Sequence, residues 1–268
     1  MNRKALHILS AALITCFAGA ASAASYSWSF TSTATSSTSA TGFASKVDEY
    51  SSMTYTNAAS KSVTLNGYAD TASGSTIETA YLTYQGTSGL GMTSRDSTAN
   101  NEVKTLGESG VTSTTAGQAW TPQHAIDNQG ATEGILFDFG ASFNLSQIDI
   151  GWYQTDSDLS VYAYTSPTAF SSGTVVGQTY STLTGWTKVG DFAGNSDPRL
   201  TTNTTYSRYW LVTPGSATDY KDYVKIAGVT GSYGTPPPPP PSVPEPASLA
   251  LVGTALAGMM FVRRRRKA

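Results

Sequence analysis

The residues with the most definite chemistry lie around position 245. Val243-Pro244-Glu245-Pro246 sets one carboxylate between two prolines. Each proline fixes its own φ and biases the preceding residue away from helix, so the strip is extended with its backbone open. Such a strip suits the groove of a processing enzyme, with this chain as substrate. Catalysts of the chain's own are scarce. Beyond residue 23 there is one histidine, His124, and no cysteine. A Ser-His-Asp triad needs a histidine base, so His124 is its sole candidate. No Gly-x-Ser-x-Gly elbow surrounds any serine. Zinc requires several His or Cys ligands, which argues against a zinc site. A glycosidase needs two carboxylates across one cleft, and no motif marks such a pair. The chain is therefore expected not to be an enzyme.

Binding chemistry is better represented. Gly151-Trp152-Tyr153-Gln154-Thr155-Asp156-Ser157-Asp158 joins two aromatics, an amide and two carboxylates. Aromatic faces stack on the C–H faces of sugar rings, and amides and carboxylates take up hydroxyls. Trp152 alternates with Ile148 and Ile150 and is expected in the core. Tyr153, on the other face, is the candidate ligand contact, with Gln154, Asp156 and Asp158. Hard cations take oxygen ligands, so Asp156/Asp158 and Asp191/Asn195/Asp197 are the candidate calcium clusters. Neither fits the helix-loop-helix calcium pattern, and solvated turns are the simpler account. No cofactor is expected beyond a possible structural calcium.

The two ends of the chain must deliver these groups. Residues 1–23 have the layout of a secretory signal peptide: Arg3 and Lys4, an apolar stretch from about residue 5 to 20, then Ala21-Ser22-Ala23. Cleavage there starts the mature chain at Ala24, with signal peptidase and the Sec machinery as partners. At the other end, 247–262 is an apolar run of 16 residues, about 24 Å as a helix. A hydrocarbon core is about 30 Å thick, and snorkelling arginines close the gap. Arg263, Arg264, Arg265, Arg266 and Lys267 follow as a cytoplasmic stop. Setting aside both ends leaves nine basic residues against seventeen acidic ones, a net charge of minus eight. An acidic domain favours neither nucleic acid nor an anionic membrane surface. The single cysteine, Cys16, lies in the signal, so no disulfide supports the mature protein.

The stretch between reads as all-β. Residues 63–68 and 77–84 are rich in β-branched and aromatic residues, and 87–91 is a break. In 135–139, Ile135, Phe137 and Phe139 share one face, against Leu136 and Asp138. In 148–152, Ile148, Ile150 and Trp152 share a face. Leu159, Val161 and Ala163 alternate with Ser160, Tyr162 and Tyr164. Tyr209 and Leu211 oppose Trp210 and Val212, and 224–229 supplies a last strand. The Ser/Thr-rich stretch 31–42 is expected as a loop or arm, and the polar stretch 94–117 as loop. Strands bounded by turn signals predict an antiparallel β-sandwich or jelly roll. Pro236 to Pro241 form a polyproline II spacer.

The order Pro-Glu-Pro, apolar run, arginine block resembles the sorting tail of PEP-CTERM proteins, over about the last 26 residues. That resemblance implies an exported bacterial protein, cut near 243–246 by an exosortase-type enzyme and delivered to the cell surface or extracellular matrix of a biofilm. The whole chain also resembles a family of exosortase-dependent surface proteins of undefined activity. A second resemblance concerns 118–233. His124-Ala125-Ile126-Asp127-Asn128, then 135–140, 145–150, Ser207-Arg208-Tyr209-Trp210-Leu211-Val212 and 224–231 run in the order of the discoidin-like, galactose-binding-like jelly roll. Glu133 stands where that family commonly has tryptophan, and a terminal cysteine pair is missing. The expected map is signal 1–23, β-sandwich 24–234, Pro-rich linker 235–246, transmembrane helix 247–262 and basic cytoplasmic tail 263–268. The expected function is that of an exported surface protein with a role in binding polysaccharide. The alternatives are a polysaccharide-active hydrolase and, from Thr-x-Thr near residue 31, an ice- or surface-binding protein, although no sustained repeat supports the latter.

Overall fold

The computed structural model describes residues 23–39, 49–72, 75–93, 125–128, 131–194, 196–215 and 222–234. Ala21, His124, Asn195, the stretch 94–117, the proline spacer, Val243-Pro244-Glu245-Pro246 and the apolar and basic tail lie outside the described residues, as does nearly all of the signal segment. Among the described residues, no helix is long and apolar enough to cross a membrane.

Thirteen strands are described: β1 (Ser25–Ser29), β2 (Ser36–Ser39), β3 (Glu49–Thr56), β4 (Ser62–Ala72), β5 (Thr76–Tyr84), β6 (Leu90–Thr93), β7 (Ile126–Asp127), β8 (Glu133–Thr155), β9 (Leu159–Tyr164), β10 (Trp186–Phe192), β11 (Arg199–Leu200), β12 (Ser207–Pro214) and β13 (Asp222–Tyr233). All pairings between them are antiparallel. The expected all-β, antiparallel architecture is therefore what the chain forms.

β8 is the spine. Its first half pairs with β4 on one side and β12 on the other. Its second half pairs with β13, from Thr155 opposite Asp222 to Phe143 opposite Tyr233. Sequence periodicity suggests two strands here, at 135–139 and 148–152, yet the backbone stays extended throughout. Gly140, at φ +73°, takes the bend that replaces a turn, and its N–H donates to the Asp138 carboxylate at 2.8 Å. Met53, Leu65, Phe137, Trp210 and Ala163 form one buried row across β3, β4, β8, β12 and β9. This row belongs to the main core, which β13 completes with Val224, Ile226 and Val229. The spacing of these three breaks strict alternation because β13 bulges between Ile226 and Gly228 against β8.

The opposite face of β8 and β12 is covered too. Leu136 and Leu211 pack with Tyr68, Ile77 and Val175 in a second cluster. Val175 comes from the segment between β9 and β10, beside a 3-10 turn at Ser172–Thr174. Burial on both sides explains why these strands carry apolar residues at successive positions.

Two departures concern the first third of the chain. Part of the expected 31–42 arm is strand: β2 pairs with β3, all four of its residues exposed. Its Ser and Thr side chains give no alternation to read, so backbone pairing alone defines it. β1 is also a strand, paired residue by residue with β13 from Ser25–Ser232 to Ser29–Gly228. Trp28 anchors it in the core, 5.3 Å from Phe139 and 5.5 Å from Phe143 between ring centroids.

Truncating the middle of the buried row leaves a cavity flanked by Leu65 and Trp210. Phe137→Ala is expected to lower unfolding stability by about 3–5 kcal/mol in urea titrations.

Candidate functional site

The far end of β8 and the start of β13 bring the sequence candidates together with residues the sequence does not mark. Tyr153 is 43 % exposed, and Gln154 beside it is exposed. Trp152 is not a core residue. It is half-buried, and the Lys225 ammonium lies 4.9 Å from its ring centroid; burial pushes that ammonium's pKa down. The alternation with Ile148 and Ile150 misleads because β8 and β13 shift register between Lys225 and Ile226, at Gly151.

Asp156 and Asp158 meet Asp222, 64 residues further on. One carboxylate oxygen from each lies within 4.8 Å of the others. Asp222 is fully buried. Its Oδ1 accepts the Asp158 N–H at 3.1 Å, and its Oδ2 accepts Asn128 Nδ2 at 2.8 Å. Asn128 Oδ1 accepts the Asp222 N–H in return. Asp158 Oδ1 accepts the Gly194 N–H at 2.6 Å, and Asp156 Oδ1 the Ser157 N–H at 2.7 Å. Three hard oxygen ligands at this spacing are the chemistry a calcium ion takes, and the carboxylates here also satisfy N–H donors of three segments.

Arg199, 3 % exposed, is the cation beneath. Its guanidinium donates to the carbonyls of Phe192, Ala193, Gly194 and Ser157 and to Ser157 Oγ. Burial lowers its pKa, while Asp158 and Asp156 oppose that shift. One buried side chain thus fastens the β10–β11 connection to the β8–β9 turn. Neither Arg199 nor Asp222 carries a local signal, since their partners are distant in the chain. At the start of β8, the buried Glu133 accepts the Asp127 N–H at 3.1 Å, so the residue standing in for tryptophan caps backbone. Asp70 on β4 accepts the Thr132 N–H at 2.5 Å.

In the second candidate calcium cluster, the two described carboxylates have protein partners. Asp191 on β10 pairs with Lys188 Nζ and accepts Ser160 Oγ, both at 2.5 Å. Burial raises its pKa, but the bonds from Lys188 and Ser160 outweigh this and hold it below the usual carboxylate range. Asp197 Oδ1 accepts the Ile150 N–H at 2.9 Å. Asn195 lies outside the described residues.

Fold and site together define an antiparallel β-sandwich whose polar end is tied by buried carboxylates and one arginine. Residues 242–267 match the family model of the PEP-CTERM protein-sorting motif. The chain carries that motif, which indicates an exported protein sorted by an exosortase-type enzyme. No curated protein and no solved structure matches the chain, so the discoidin-like resemblance rests on its residues alone.

Arg199→Met would orphan several buried carbonyls, each costing about 1–3 kcal/mol. A stability loss of at least about 3 kcal/mol is expected in chemical denaturation. Burial raises the Asp70 pKa against its hydrogen bonds, so the folded state holds that proton longer than the unfolded chain. Stability from this group therefore falls as pH climbs from the ordinary carboxyl range through the folded value. Asp70→Asn keeps an Oδ1 acceptor for Thr132 and removes the charge. It should melt above the parent at neutral pH, with the gap closing as pH drops to about 4.

Proposed function

We propose that this chain is a surface protein delivered through its own tail. The apolar run 247–262 holds the precursor in the bilayer, with Arg263 to Lys267 on the cytoplasmic side. An exosortase-type enzyme then breaks a peptide bond in or beside Val243-Pro244-Glu245-Pro246 and releases the domain to the cell surface or the exopolysaccharide. The observation that carries this reading is the match of 242–267 to the sorting motif. Sheet geometry supports it: β13 ends at Tyr233, so the proline spacer begins directly at one end of the sandwich. Semi-rigid polyproline, at about 3.1 Å per residue, sets the cut site away from the folded surface.

The domain acts by display or binding rather than by hydrolysis. Of the three acids that converge among the described residues, Asp222 faces no solvent and is spent on hydrogen bonds to Asn128 and Asp158. The exposed Tyr153 and Gln154 above them leave this end available for a ligand.

Replacing Glu245 with alanine in the native host should leave a full-length precursor in the membrane fraction on immunoblots, with little shorter product outside the cell. Normal release of the shortened protein would refute processing at this strip.

A further inference from the structure

A second surface lies at the opposite end of β13, where the spacer begins. A groove of about 400 Å³ is lined there by Ser142, Ser166, Phe170, Tyr206, Arg208 and Tyr209, among others. That volume falls in the range of small-molecule sites. Three of its lining rings, Tyr164, Phe170 and Tyr209, pack together with Trp186 behind them. Phe170 and Tyr209 stack at 4.0 Å with 19° between their planes. Tyr164 meets Phe170 edge-on at 5.4 Å and Trp186 at 5.3 Å. The wall is fixed from behind: Tyr164 Oη donates to the Thr168 carbonyl, and Trp186 Nε1 to that of Thr174. The rings are therefore preorganised, which limits the entropy lost when a ligand docks.

The polar groups of the groove point the same way. Arg208 forks onto Asp138, Nε to Oδ1 at 2.7 Å and Nη2 to Oδ2 at 2.8 Å. It also lies 4.9 Å from the Tyr209 ring centroid. The pair cancels the local charge and fixes the guanidinium, while Nη1 bonds no protein group among the described residues. The hydroxyls of Tyr206 and Tyr209 are likewise without protein partners there, and Tyr206 is 45 % exposed. Flat apolar faces, unbonded hydroxyls and a charge-neutralised guanidinium fork match a ligand that alternates C–H faces with hydroxyls. A charged peptide or a nucleic acid would need a net field that the Arg208–Asp138 pair does not provide.

We infer that this groove binds one or two sugar rings of a polysaccharide, stacked on Tyr206, with hydroxyls on Arg208 Nη1, Tyr209 Oη and the serine side. The inference rests on the proposed delivery to the outside, but binding is measured without it. The full-length chain in detergent is titrated by calorimetry with maltotriose, cellotriose, N,N′-diacetylchitobiose and the host's extracellular polysaccharide, with tryptophan emission as a second readout through Trp186. At least one of these should bind saturably. Tyr206→Ala, at an exposed position that tolerates truncation, and Arg208→Gln should each weaken that binding by about tenfold or more. Leu200→Ala, exposed on β11, should leave it unchanged. A six-proline peptide is the competing probe, since aromatic grooves also take polyproline. Binding of that peptide with none of the sugars overturns the assignment. So does the absence of saturable sugar binding, or equal binding by parent and both groove variants. None of these results bears on cutting at Glu245, which is read in cells.

Discussion

The structure depends on one uninterrupted strand that changes partners along its length. β8 buries Phe137 between Leu65 and Trp210 in its first half, then runs opposite β13 to its end. Phe143 sits at the changeover, paired with Ser207 on β12 and Tyr233 on β13. Its ring stacks on Phe139 at 4.0 Å and meets Tyr233 edge-on at 5.1 Å. The neighbouring carbonyl is held as well, since Trp210 Nε1 donates to Phe143 O at 3.0 Å. Both functional ends follow from this strand. It leads at Thr155 into the turn that carries Asp156 and Asp158 of the acidic end, and its bend at Gly140 lies beside the aromatic groove, which Ser142 lines.

How far the sequence reveals this depends on the range of the interaction. Strands with alternating side-chain types were legible: the readings at 77–84, 159–164 and 209–212 fall within β5, β9 and β12. β2 and β10 were not, because Ser36–Ser39 and Trp186–Phe192 are edge strands with mostly exposed or half-buried residues. The continuity of β8 was hidden by Gly140 and Asn144, which read as turn residues. Among the candidates, Asp156 and Asp158 do gather, while Asp191 and Asp197 are claimed by Lys188, Ser160 and the Ile150 amide. Trp152 was misread because a bulge, which no periodicity reveals, turns it away from the core.

The described residues hold no cysteine, so their loops are held by other means. Here buried polar groups take that part. Arg199 collects carbonyls from two connections, Asp222 collects donors from Asn128 and Asp158, and Asn144 Nδ2 bonds Asn203 Oδ1 and the carbonyls of Asn203 and Thr205. Such groups are costly when any one bond is missing, so they select a single arrangement of the loops rather than adding much net stability. That suits an exported protein: rigid loop ends are retained without a redox partner to form disulfides.

The pairing of β1 with β13 also fixes how the domain is presented. Ser25 lies opposite Ser232, so the described chain enters and leaves the sheet at the same end. β13 has twelve residues, about 40 Å of extended strand, and Asp222 with the acidic end lies at its far side. Tyr153 and Gln154 therefore lie at one end of the sheet and the aromatic groove at the other, beside Tyr233. A polysaccharide held by the groove would lie against the base of the domain, while the tyrosine-bearing end stays open to a second contact. Two contact surfaces about 30 Å apart along β13 are the geometry of a cross-bridge, and the strand register sets that distance.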